Sequence, residues 1–305
     1  MPVRGCKSET VIGVLLLFVI GTQALVDYDS DSGRRFLIWA LCIGATNPEK
    51  CVETEFYGQM ILATFEADCS DLIFGGLCRV VIDVDDGYTL LGITFKAESV
   101  IENTTPTTLN KQVLTDFGTY GKVQTDLLTA FGRLWNNGLG AYMQQLWTEY
   151  CDLYISFSGY SLGACLAQMA AVRFQEEKWW PADQMFYFGY GNPRCGNEDF
   201  AYYVDQSLAD KFNIMWFNDV IMEYPESSCV YTADAVKGGC ADYFSCCTTI
   251  KYTAWSSVAL STYTTCGSNM CPATNALPAT DHATYFQTTA ADVNSLTCTD
   301  VKKFP

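Results

Sequence analysis

CDLYISFSGYSLGACLAQMAAVRFQE, residues 151–176, sets Ser161 between Gly159 and Gly163, where a short apolar run meets a long run of small residues. Cys151 to Phe157 is short and apolar, which predicts a buried strand. Ser161 to Glu177 is rich in Ala, Leu and Met, which predicts a helix. A strand that turns directly into a helix passes through strained backbone, and flanking glycines remove the clashes there. The central side chain is then pushed out above the sheet, beside the free N–H groups of the helix start. With 23 glycines in the chain, a GxSxG pattern alone would arise by chance in roughly one such chain in ten. Its weight comes from following a strand and opening a helix.

Working outward, residues 48–66 begin with a proline and space Phe56, Met60 and Ala63 at helical intervals, which predicts a helix. Residues 79–83 and 89–96 are β-rich runs joined through Asp85-Asp86-Gly87, which predicts a hairpin or tight connection. Residues 98–121 read as loop, and 122–149 as helix broken near Asn136-Asn137-Gly138. Residues 184–190 and 212–217 are further strands, with a helix near 197–209 between them. Strands alternating with helices from residue 90 to 217 predict an α/β fold with a mostly parallel central sheet covered on both faces. After residue 225 the texture changes to Cys, Thr, Ser and Gly, which reads as an irregular, disulfide-rich C-terminal region of the same domain.

The 305 residues carry a formal charge of -16. Such a chain repels nucleic-acid backbones and gains nothing from anionic membranes, so any contact with a lipid surface is apolar and transient. Arg4 and Lys7, the apolar stretch Val11 to Ile20, and Thr22-Gln23-Ala24 make residues 1–24 a signal peptide, with a retained anchor as the alternative. Residues 25–305 are then expected to form a single secreted, extracellular domain. Of 15 cysteines, 14 lie beyond the signal and predict disulfides. Metal binding is not expected, since CxxC pairs are missing and there is one histidine. Cys165, inside the apolar run after Ser161, reads as a buried free thiol. Asn103-Thr104-Thr105 is a glycosylation acceptor on an exposed loop.

A serine hydroxyl becomes a nucleophile when a neighbouring base takes its proton. The base must be His282, the one histidine in the chain. A carboxylate must hold that imidazole. Asp281 adjoins His282, and neighbouring side chains on extended backbone point apart. Asp219 follows the strand at 212–217, at the sheet end where sites of this architecture gather. The order Ser161, Asp219, His282 is the one found in α/β-hydrolases.

GYSLG, then FGYGNPRCGN (Phe188 to Asn197), NDV with Pro225 downstream, and DHATYF near the C-terminus together resemble the secreted class 3 (fungal-type) triacylglycerol lipases. That family shows GHSLGG, a FGxPRxGN segment, an acidic turn and a late histidine before an aromatic pair. The resemblance runs from about residue 80 to residue 286, and Gly191 to Asn197 is its most specific piece. It implies an α/β-hydrolase fold, hydrolysis of lipid esters, no cofactor and a lid after the early strand. It also implies Ser161 as nucleophile, Asp219 as orienter, His282 as base, and backbone N–H groups of Leu162 and Glu98 as the oxyanion hole.

The sequence departs from that pattern where Glu98 replaces the family's Ser or Thr. A carboxylate there either turns to solvent, yields the position to Ser99, or weakens catalysis. Tyr160 stands for the family's histidine and reads as a packing residue; Ala164 stands for its second glycine. The lid falls at Val100 to Gln112 and is polar. Trp179 and Trp180 form either an apolar surface patch or helix-end packing. Two rivals accompany the lipase reading: an inert lipid-binding protein on the same scaffold, and an esterase for non-lipid esters. No protein partner is inferred.

Overall fold

Side chains alternate residue by residue along successive strands between residues 154 and 252, and this alternation builds the centre of the fold. The computed structural model describes residues 59–73, 75–85, 87–97, 113–216, 219–225 and 245–252, with single residues or short pieces between 28 and 52 and at 263–266, 284–285 and 288–289. Strands β1 (Gln59–Cys69), β2 (Gly76–Asp85) and β3 (Leu90–Ala97) form an antiparallel meander. A two-stranded ribbon follows, β4 (Leu114–Asp116) with β5 (Lys122–Gln124). Helices α1 (Thr125–Leu134) and α2 (Gly140–Tyr150) come next, then β6 (Tyr154–Tyr160), α3 (Leu162–Glu176), β7 (Met185–Tyr190), α4 (Glu198–Ser207) and β8 (Asp210–Trp216). Strands β9 (Thr248–Tyr252) and β10 (Tyr263–Cys266) complete an eight-stranded sheet of order β1-β2-β3-β6-β7-β8-β9-β10. From β3 to β9 the pairing is parallel. A short ribbon, β11 (Thr284–Tyr285) with β12 (Thr288–Thr289), lies later in the chain.

One face of the sheet offers Ile155, Phe157, Met185 and Tyr187 to the core that includes α1, α2 and α3. The other offers Phe188, Tyr190, Ile214, Trp216, Ile250 and Tyr252, which pack with Tyr28 and Leu37 of the N-terminal segment. Strands apolar on both faces fit a parallel sheet covered on both sides. Helix α3 is buried almost throughout, and its alanines let it lie close on the strands. Among the described residues no helix is long and apolar enough to cross a membrane.

The hairpin expected at Asp85-Asp86-Gly87 is present. The Asp85 carboxylate accepts from the backbone N–H groups of Thr89 and Leu90, both at 2.7 Å, and from the Thr89 hydroxyl at 2.6 Å. Burial works against its ionisation, but these hydrogen bonds outweigh that and hold the carboxyl below its usual range. The expected helix break is also present. Gly138 takes φ +110° between α1 and α2, with the Phe65 ring 3.2 Å from where a side chain would start.

Several expectations are corrected. Residues 59–69 are not helix: they form β1, paired along its length with β2. The cross-strand ladder overrides a local helical spacing that had no second face to bury. Residues 114–116, expected as loop, pair with 122–124. The region after 225 is not irregular throughout, since β9 and β10 extend the main sheet. Cys165 is not a free thiol: it is bonded to Cys195, with Cα atoms 5.5 Å apart. A second disulfide, Cys69–Cys78, ties β1 to β2. For the tryptophans the packing alternative holds. Trp179 stacks on Trp135 with centroids 5.7 Å apart, and Trp180 is buried with its indole N–H donating to the Leu153 carbonyl at 3.1 Å. The segments at 1–24 and 100–112 lie outside the described residues.

Candidate active site

Ser161 sits between the end of β6 and the start of α3, with φ 55° and ψ -126°. That is a strained conformation for a side chain with a Cβ, costing about 1–3 kcal/mol, and it persists only where surroundings impose it. Here they do. The Ser161 N–H donates to the Tyr190 carbonyl at 2.8 Å, and the Ser161 carbonyl accepts from the Ala164 N–H at 3.0 Å. The two glycines of GYSLG have separate reasons. A methyl on Gly159 would meet the Gly163 carbonyl carbon and oxygen at 2.5 Å. A methyl on Gly163 would meet the Phe95 carbonyl oxygen at 2.4 Å. The strand, the turn and the helix thus touch backbone to backbone, and the helix start lies against the end of β3. Leu162 heads the helix and is buried. Helix starts offer unpaired N–H groups and a favourable dipole for negative charge.

Asp219 lies just past the end of β8 and is fully buried. Its Oδ1 accepts from the Ile221 N–H at 3.0 Å, capping the short 3₁₀ turn Val220–Glu223. Its own N–H donates to the Trp216 carbonyl at 3.0 Å. Ser161 and Asp219 therefore stand at the same edge of the sheet, on strands separated only by β7. Two strand spacings are about 10 Å. Tyr160, beside Ser161, senses the acid: burial first, and then the Asp219 charge, push its phenol well above the usual range. The phenol therefore stays neutral at physiological pH. The expected base His282, the expected oxyanion donor Glu98 and the expected glycosylation acceptor Asn103 lie outside the described residues.

The GNPRCGN segment turns out to be structural glue around this edge. Asn192 is buried and its Nδ2 donates to Asn213 Oδ1 at 3.3 Å. Asn197 caps α4, accepting from the Phe200 N–H at 3.1 Å, and also accepts from the Lys122 N–H at 2.8 Å. Arg194 reaches the turn that carries Asp219, donating through Nη1 to the carbonyls of Glu223 and Pro225, the latter at 2.9 Å. Sequence reasoning marked this stretch as specific but assigned Arg194 no task; its only signal was an arginine inside an otherwise small and polar loop.

Chemically, the edge joins a strained hydroxyl at a helix start to a buried carboxylate two strands away. Comparisons with known proteins bear on the fold that carries this edge. Residues 93–228 match the family model described as lipase (class 3). Lipase ZK262.3 of Caenorhabditis elegans is 26% identical over 226 residues, covering 70% of this chain and 62% of that protein. The match thus spans less than two thirds of that relative's length. The mono- and diacylglycerol lipase from Aspergillus oryzae superposes with a TM-score of 0.68 at 17% identity, covering 88% of this chain and 99% of that one. Lipase II from Rhizopus niveus gives 0.66 at 19% identity, covering 87% and 98%. The expected fold is therefore found: an α/β-hydrolase fold with a mostly parallel central sheet.

Proposed function

We propose that this chain, whose residues 93–228 match the class 3 lipase family, is a secreted serine hydrolase that cleaves carboxylic esters of lipids. The observation that carries the reading is the conformation of Ser161. A chain tolerates φ 55° at a serine, hemmed in by Gly159 and Gly163, where the strain has a use. In this reading Ser161 Oγ attacks the ester carbonyl carbon while His282 takes its proton. The tetrahedral intermediate collapses, the acyl–oxygen bond breaks, and His282 returns the proton to the leaving alcohol. Water, deprotonated by the same imidazole, then releases the acid and restores Ser161. Asp219 holds the imidazole and stabilises its protonated form. The N–H groups of Leu162 and Glu98 receive the oxyanion, and no cofactor takes part.

Secretion is part of the proposal. Residues 1–24 read as a signal peptide, and the Cys69–Cys78 and Cys165–Cys195 disulfides suit an oxidising compartment. Asn103 would be the glycosylated residue. The partner is an ester substrate, with transient apolar contact at a lipid surface. One sequence feature favours a second reading: Glu98, where relatives carry a hydroxyl, would oppose a developing oxyanion and leave a lipid-binding protein on the same scaffold. An esterase for non-lipid esters is the third.

Purified secreted protein tests these. Turnover of p-nitrophenyl esters that Ser161→Ala abolishes, with a phosphonate label on Ser161, supports the hydrolase. No turnover and no label supports the binding protein. A preference for long acyl chains separates lipase from non-lipid esterase. A large gain of rate in Glu98→Ser would show that the carboxylate obstructs the hole.

A further inference from the structure

We infer that Arg194 is a positioning residue for the acid of the site, acting through the turn that carries Asp219; the inference rests on the hydrolase reading above. Asp219 opens a four-residue 3₁₀ turn and caps it with its carboxylate. Arg194 grips the far end of that turn. Arg194 donates to three consecutive carbonyls: its Nη1 to Glu223 and to Pro225 at 2.9 Å, and its backbone N–H to Tyr224 at 2.7 Å. Tyr224 in turn donates its N–H back to Ile221 at 3.0 Å, closing the turn on itself. The guanidinium is suited to this because the two N–H donors of its Nη1 are fixed in the guanidinium plane and reach two carbonyls at once, whereas an ammonium's donors rotate freely.

Arg194 is itself held from elsewhere. Its carbonyl accepts from Gln124 Nε2 at 2.9 Å, and the neighbouring Cys195 carbonyl accepts from the Gln124 N–H at 3.1 Å. Cys195 is bonded to Cys165 in α3, the helix that Ser161 opens. A continuous path therefore runs from the nucleophile's helix through the disulfide and Arg194 to the acid's turn. Arg194 acts through the turn: it fixes where the Asp219 carboxylate stands.

A double-mutant cycle on ester hydrolysis tests this, using the full secreted chain and p-nitrophenyl butyrate. R194Q is expected to lower kcat about a hundredfold, the effect of a misplacement remote from the chemistry, with KM essentially unchanged. D219N alone is expected to lower kcat about 10⁴-fold, and R194Q in the D219N background to add no further loss, because the residue through which it acts is already disabled. Rates of phosphonate labelling at Ser161 extend the measurement to the slowest variants. Unchanged kcat in R194Q, a loss confined to KM, or the same fold-loss in both backgrounds would overturn the inference while leaving the hydrolase reading intact. Absence of turnover in the unmodified chain would overturn both. Circular dichroism checks folding, and if R194Q does not fold, R194K runs through the same cycle, with the same results supporting or overturning the inference.

Discussion

Gly163 and Phe95 meet across the start of helix α3: a methyl group on Gly163 would lie 2.4 Å from the Phe95 carbonyl oxygen and 3.3 Å from the Lys96 Cα. Both obstacles are backbone, so neither can swing aside as a side chain would. Gly163→Ala must lift α3 off the end of β3. The expected cost is about 3 kcal/mol, the upper end for overpacking, read as a lower urea midpoint. The move would also carry the Leu162 N–H away from β3, so ester turnover should fall more than stability alone explains. Stability equal to the unmodified chain would show that the elbow is looser than described.

Strain at Ser161 can be measured apart from chemistry. Ser161→Ala and Ser161→Gly both remove the hydroxyl, but only glycine is at ease at φ 55°. Ser161→Gly should therefore be the more stable of the two by about 1 kcal/mol, a difference of a few degrees in thermal midpoint. Neither should take the phosphonate label. Equal midpoints would mean that the turn carries no strain.

Much of this edge is readable from the chain itself. The glycines around Ser161 announce a turn because only residues without a Cβ fit such close backbone contact, and Asp219 closely follows a short strand that is apolar at nearly every position. What was not readable is long-range. Phe56, Met60 and Ala63 keep a helical spacing, yet residues 59–69 become β1 because β2 supplies a ladder for them. Cys165 resembles a core thiol in its own neighbourhood, and its partner lies 30 residues away on a loop with no periodicity to reveal it. Arg194 grips three carbonyls whose positions depend on how the chain after β8 closes. Local pattern carries the elements; pairings between loops do not leave a local trace.

Acid should weaken the outer corner of the sheet first. Arg133 forks onto Asp71 at 2.6 and 2.8 Å and holds that carboxyl down at about 2. Ser70, through its hydroxyl and its N–H, keeps Asp68 below the usual range as well. A depressed carboxyl stabilises the fold fully above its unfolded value of about 3.9, and that stability is lost as pH falls toward the folded value. Urea midpoints should therefore drop between about pH 4 and pH 2, and Asp71→Asn should flatten part of that drop by lowering the midpoint at pH 7 while leaving the low-pH midpoint nearly unchanged. An identical acid profile in Asp71→Asn would remove the pair from the account. Both side chains are largely at the surface, so high salt should shrink the effect.

Removing the Cys165–Cys195 bond should reach both stability and the site. The bond closes a loop with a sequence separation of 30, for which chain entropy predicts about 3–4 kcal/mol. Cys165→Ala with Cys195→Ala leaves two small side chains in a buried place, so the loss should come mainly from the unfolded chain's regained freedom and appear as a lower urea midpoint. The second consequence is specific to where the bond lies. Cys195 adjoins Arg194, whose carbonyl and that of Cys195 are both held by Gln124. Freed from α3, this loop keeps its hydrogen bonds but loses its fixed distance to the helix that Ser161 opens. The double variant should therefore lose kcat at temperatures where it is still fully folded, with KM nearly unchanged. Alkylation without reductant should leave Cys165 unmodified in the denatured parent chain, and labelling of Cys165 under those conditions would rule out the bond and the brace together.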